Sequence, residues 1–208
     1  EYLDNYYYTL PVVYRKYPEL NALRDQPMIR VGAQFLHEFA RRAHHLGLTV
    51  MHGFNLCNFV GARMELVAQL RAKIPQTGLR EVRPDWFNEH GEPDFSKPYF
   101  YEFMAAEAED FFDAFPQVDG LFCWNCECSV FTPSKLKHQT VSKAEIARRS
   151  IRAVYDVCHR RGKMMTHDIH TGGADKELSR AIIAAAAECP ELMVGADATY
   201  SDWQMPLP

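Results

Sequence analysis

The chain has 208 residues, 47% of them hydrophobic and 24% charged, and carries a formal net charge of −4. That make-up suits a globular domain with a sizeable core and excludes the basic footprint of a nucleic-acid binder. No run reaches the roughly 18 apolar residues of a membrane helix, so neither nucleic acid nor membrane is an expected partner, and 1–208 reads as one domain.

The chain opens inside an aromatic run, EYLDNYYYTLP, and stops on MPLP, as a piece of a longer chain would. The first predicted helix runs near 27–46. Asp25 is its candidate cap, Pro27 suits its first turn, and Val31, Phe35, Phe39 and Ala43 fall on one face. Gly47 ends it, and the strand 48-LTVMHGFNLCNF-59 follows. A variable insertion spans 60–98: a short helix at 62–73, then a long loop rich in Pro, Gly and aromatics. The second helix covers about 98–115, with Phe100, Phe103, Met104, Phe111 and Phe115 apolar, and leads to a strand over 118–126. A third begins at the capping box 142-SKAE-145 and buries Ala147, Ile151, Val154 and Cys158. Gly162 closes it before the strand 163-KMMTHDIH-170. The last helix, about 174–188, precedes the strand 191-ELMVGADA-198.

Strands that alternate with helices of this length predict parallel βα units. The strands are nearly continuously apolar, as parallel strands covered on both faces are. No glycine-rich phosphate loop follows any of them. The expected fold class is therefore α/β, a (β/α)8 TIM-type barrel represented by its central βα units. Four such units are about half of a barrel that usually takes roughly 250 residues. Further chain segments or a partner chain would complete it.

Each strand ends in polar residues, where α/β sheets place their sites. These are Asn55, then Asn125 and Glu127, then Asp168 and His170, then Asp197 and Asp202. The stretch 118-VDGLFCWNCECS-129 is the most pointed of them. Alternation sets Leu121, Cys123, Asn125 and Glu127 on one face and Phe122, Trp124, Cys126 and Cys128 on the other. If Glu127 turns into the barrel mouth, Asn125 lies one layer below it. Three thiols divided between two faces make a poor metal cage, since a structural zinc needs four convergent ligands. Packing is the better account of these cysteines. All six of the chain, Cys57, Cys123, Cys126, Cys128, Cys158 and Cys189, fall in or at predicted strands and helices, which leans toward a reducing, cytoplasmic setting.

Carboxylates in a shared concave site divide acid and base work, because burial raises one pKa while hydrogen bonding keeps another group ionised. Two of them flanking a sugar suffice for glycosidic hydrolysis. Trp124, Tyr200 and Trp203 are candidates to stack on sugar faces, and His52, His167 and His170 to hydrogen-bond in the mouth. A competing reading uses His52, His167, His170 and Asp197 as ligands of a metal-dependent barrel hydrolase. A third is a catalytically silent barrel that binds carbohydrate.

The run from about 31 to 206 resembles the barrel of the α-glucuronidases of glycoside hydrolase family 67, and more loosely the hexosaminidase-like barrels of family 20. The matching pieces are 46-LGLTVMHGFN-55, 115-FPQVDGLFCWNCECS-129, 161-RGKMMTHDIH-170 and 193-MVGADATYSDWQMPLP-208. The resemblance implies a glycosidase that needs neither cofactor nor metal and takes a carbohydrate substrate. Glu127 falls on that family's general acid and Asp202, in 202-DWQMP-206, on its general base, with Asp168 as the fallback base. Asn125, His52, Asn55, His167, His170, Trp124, Trp203 and Asp197 would line the sugar site. Cys123 stands where the family has a lysine for the uronic carboxylate, and His167 falls near its arginine. A neutral or differently substituted sugar is accordingly expected. Inversion would set the acid and base roughly 6.5–9.5 Å apart, retention about 5–5.5 Å.

Overall fold

The computed structural model describes residues 10–24, 26–56, 79–124, 137–169 and 176–195, except for the side chains of Met28, Asn55 and Trp124. Asp25, the helix expected at 62–73, Asn125, Glu127, His170, Asp197, Asp202 and Trp203 lie outside these residues.

Within them the chain forms helix α1 (Gln26–His45), strand β1 (Met51–Asn55), a short helix α2 (Leu79–Val82) and helix α3 (Tyr99–Ala114). Strand β2 (Gly120–Trp124), α4 (Lys143–Arg160), β3 (Met164–Asp168), α5 (Lys176–Ala187) and β4 (Met193–Gly195) follow. The strands form one parallel sheet in the sequential order β1-β2-β3-β4. The molecule is thus α/β, as the alternation of elements predicts.

The helix ends follow from local chemistry. At the start of α4 the Ser142 hydroxyl accepts the Glu145 amide at 3.1 Å, while the Glu145 carboxylate turns to Arg148 and Arg149. Both α1 and α4 end on a glycine with positive φ, Gly47 at 73° and Gly162 at 60°. In each case the next amide reaches back five residues, Leu48 to the Ala43 carbonyl at 2.9 Å and Lys163 to the Cys158 carbonyl at 2.8 Å. A side chain would strain that left-handed backbone, so glycine both stops the helix and aims the chain into the strand.

The helices cover one face of the sheet. Phe54, Leu121, Cys123, Met165 and His167 point to that side and are buried, and the His52 ring meets Phe111 of α3 at 5.0 Å. The expected apolar stripes of α3 and α4 are all in this core: Phe100, Phe103, Met104, Phe111 and Phe115 of the first, Ala147, Ile151, Val154 and Cys158 of the second. The other face is open, with Phe122 43%, Met164 39% and Met193 54% exposed.

Three expectations change. The α1 stripe is one: Val31, Phe35 and Phe39 are exposed, and Ile29, Leu36, Ala40 and Ala43 form the buried face. The two stripes stand roughly a third of a turn apart at 3.6 residues per turn, and His37 of α1 packs on Phe115 at the C-terminal turn of α3. The second change concerns β2, in which Leu121 and Cys123 face the helices and Phe122 faces the open side. The third is the insertion. Its part beyond residue 78 is no loose loop: Leu79, Trp86, Phe87 and Phe95 are buried, and Trp86 packs edge-on against Tyr17 and Phe100.

A strap over 10–24 crosses the outer side of α3. The Tyr14 hydroxyl donates to the buried Glu107 carboxylate at 2.7 Å, and Arg15 pairs with Asp110 at 2.6 Å. The Arg24 guanidinium lies on the Tyr14 ring and donates to the Leu10 and Val12 carbonyls.

Candidate functional site

The sheet register sorts the open face into three rows. At the N-terminal ends stand Met51, Gly120 and Met164; in the middle Gly53, Phe122, Thr166 and Met193; at the carboxyl ends Asn55, Trp124, Asp168 and Gly195. The rows grade from apolar to polar along the strands. Gly120 is required by close approach: a side chain there would run into the Met164 carbonyl and the Met51 thioether. Asp168 turns to the open side, where its Oδ1 lies 3.6 Å from the place a Gly195 side chain would take.

Asp168 is therefore the expected site residue with a described position suited to ligand contact. Asn55 and Trp124 share its row. His52 and His167 do not join it. Both occupy the alternate strand positions and point into the helix layer. The expectation that they line a sugar site is corrected, for a reason of strand parity: with period two, a residue next to Asp168 is on the opposite face.

His167 is buried in the core, and His52 is half-buried against Phe111. Burial lowers the His52 pKa, opposed by its contact with the Gly53 carbonyl at 2.7 Å. Burial also lowers that of His167 to about 4, opposed by the neighbouring Asp168 backbone. The thiols behave likewise. Burial pushes Cys123 well up and Cys158 up to about 12, so both stay protonated and serve as packing groups. Cys123, Cys158 and Cys189 are free and buried. Among the described residues no group of three or more His, Cys, Asp or Glu is placed to hold a metal ion.

A joint of polar groups ties together two segments that lie far apart in the sequence. The Glu92 carboxylate accepts from the Lys137 amide at 3.0 Å, the His138 amide at 2.8 Å and the Gln139 side chain at 3.1 Å, and also meets the His138 ring at 3.0 Å. Asn88 donates to the His138 carbonyl at 2.8 Å, and the His90 and His138 rings stack at 4.0 Å. Burial works against ionisation of Glu92, but the two backbone amides, Gln139 and His138 outweigh it and hold its pKa at about 2. The chain between β1 and α3 is thus joined to the chain just before α4. The turn 88-NEHG-91 is the available sequence signal: Asn88 caps it by accepting from the His90 and Glu92 amides, and Gly91 takes a φ of 77°.

No protein-family model matches the chain, no curated protein matches it, and no solved structure matches it.

Proposed function

We propose that the chain is part of a glycoside hydrolase built on a (β/α)8 barrel. The observation that carries the reading is Asp168, a carboxylate on the open face at the carboxyl end of β3, in one row with Asn55 and Trp124. Parallel sheets place ligands at that end. The sequential strand order, with the described helices on one face, supports reading the four units as a segment of a barrel wall.

In this reading the open face is the barrel interior, and the polar row is its mouth. For Glu127 to protonate the leaving oxygen and Asn125 to line the sugar, the alternation that turns Leu121 and Cys123 to the helices has to end beyond Trp124; Asp202 activates water. Asp168 is the second candidate for base, or holds a sugar hydroxyl. Asn125, His170, Asp197 and Trp203 remain candidates to line the sugar, while His52 and His167 leave the list. The same placement removes two of the four ligands that a metal-dependent hydrolase would have used.

The test is hydrolysis of a panel of aryl glycosides and oligosaccharides with chelator present, wild type beside Glu127→Gln, Asp168→Asn and Asp202→Asn. Turnover that survives chelator and falls by about 10²–10⁴ in the variant that removes the acid or the base is the expected result. Turnover lost to chelator in the wild type would overturn the reading in favour of a metal site. Saturable sugar binding without turnover would overturn it in favour of a binding barrel.

A further inference from the structure

We propose that the strap over 10–24 is a proton-controlled latch, which stays shut on α3 in acid and lifts far more readily, with the rest of the fold intact, as the pH rises through neutrality. The strap lies on the outer side of α3 and stands apart from the polar row at the carboxyl ends of the strands. Its bolt is the bond from the Tyr14 hydroxyl to the Glu107 carboxylate at 2.7 Å, with both residues 2% exposed. Two strap rings close the same seam. Tyr14 and Tyr17 stand edge-on to Phe103 at 5.1 and 5.6 Å, and Tyr17 stands edge-on to Trp86 at 5.4 Å. Around the bolt the strap holds α3 through cations that solvent reaches, Arg15 on Asp110 and Asp113, and Lys16 on Glu102 at 3.5 Å. Pairs of that kind contribute little.

The groups around the bolt leave it sensitive to charge. From the strap, Arg24 faces Glu107 but directs its guanidinium to the Leu10 and Val12 carbonyls. From α3 itself, Asp110 stands one turn on and opposes a charge on Glu107. From α4, Arg149 lies over the Tyr101 ring, while Arg160 and Arg161 pair with Glu109 and Asp113. Arg83, beside Trp86, is held by Glu19 and Asp85. An ionised Glu107 keeps the Tyr14 hydroxyl and the Leu10 backbone as hydrogen-bond partners but gives up water. Burial accordingly raises its pKa to about 7. Lifting the strap returns the carboxylate to water and to its ordinary value of 4.5, so each opening above that pH releases a proton. The opening equilibrium then grows by about 100-fold between pH 4.5 and about pH 8. Global unfolding differs, because it also frees His167, whose lowered pKa acts in the opposite direction. Strap opening leaves His167 buried in the sheet, so the strap alone loosens.

Hydrogen exchange followed by NMR from acid to about pH 8, each rate divided by that of an unstructured chain at the same pH, tests this. The reporters are the Tyr14 and Arg15 amides, which donate to the Asn21 side chain and to Asp110, each at 2.9 Å. Amides within α4 are the reference. Protection of the strap pair should fall about 100-fold while that of α4 stays level to within a few-fold. Glu107→Gln, which keeps an acceptor for Tyr14, should flatten the response of the strap. Tyr14→Phe keeps the ring and removes a donor that favours the ionised form, so the fall should deepen. Strap protection that stays level with pH, that moves in step with α4, or that still falls in Glu107→Gln would overturn the proposal. So would a Tyr14→Phe chain whose strap no longer responds, which decides the matter even where Glu107→Gln fails to fold.

Discussion

The two faces of the sheet are made of similar residues and live in different surroundings. On one, Leu121, Cys123, Met165 and His167 are covered by helices to 3% exposure or less; on the other, Phe122, Met164 and Met193 are 39–54% exposed. An apolar side chain does not by itself declare which surface buries it. In this protein the helix layer buries its apolar side chains, and the open layer leaves part of its own exposed.

The largest expected effect lies in the helix layer. Phe111 is fully buried and touches His52, Phe112 and Phe115. Phe111→Ala should cost about 3–5 kcal/mol of unfolding free energy, measured by urea denaturation. A cost near that of a surface change would break the contrast between the faces.

Two buried titratable groups should give opposite pH slopes. Burial raises the Glu107 pKa to about 7, against Arg24, the Tyr14 hydroxyl and the Leu10 backbone. Its folded form therefore holds a proton that the unfolded chain, with an ordinary value of 4.5, releases, and its contribution to stability falls as pH rises from 4.5 to about 7. His167, lowered from 6.5 to about 4, does the opposite: its contribution falls as pH drops through that window. Each is worth about 3 kcal/mol. The wild type should be nearly level between these limits, Glu107→Gln should become steadily more stable as pH rises, and His167→Asn steadily less. Equal slopes in all three proteins would break the assignment.

Ser142→Ala removes the cap of α4 and should cost about 1 kcal/mol, read from the same denaturation curves. The smallest effect belongs to the open face. Met193→Thr should change the stability of the dilute chain by less than about 0.5 kcal/mol. A cost of several kcal/mol would mean that the open face is already packed.

The same contrast explains how far the sequence could be read. The α3 and α4 stripes were legible because aromatic and branched residues recur at helical spacing against polar neighbours. The α1 stripe misled because the helix carries two apolar faces, and spacing alone does not rank them. In β2 the residues 120-GLFCW-124 are apolar at every position, so alternation gave no parity, and Leu121 could not be distinguished from Phe122 as the inward residue. That ambiguity carried over to His52 and His167, which look like site residues by type and are core residues by position. Asp168 was legible because a carboxylate at the end of an apolar strand has few places to go. The grip of Glu92 on 137–139 was not, because its partners are backbone amides more than forty residues away, and any residue type supplies those.

That grip also has a consequence for the order of folding. Its bonds join residues 45 to 47 positions apart. The chain ends it connects are brought near each other only once α3 and β2 have docked, because both lie between them. Closing so long a loop early would cost entropy that a few polar contacts do not repay. The joint is therefore expected to form late, after the folding transition state. Weakening it should leave the folding rate nearly unchanged and quicken unfolding. It sets how long the carboxyl-end architecture persists once formed, rather than how fast it forms.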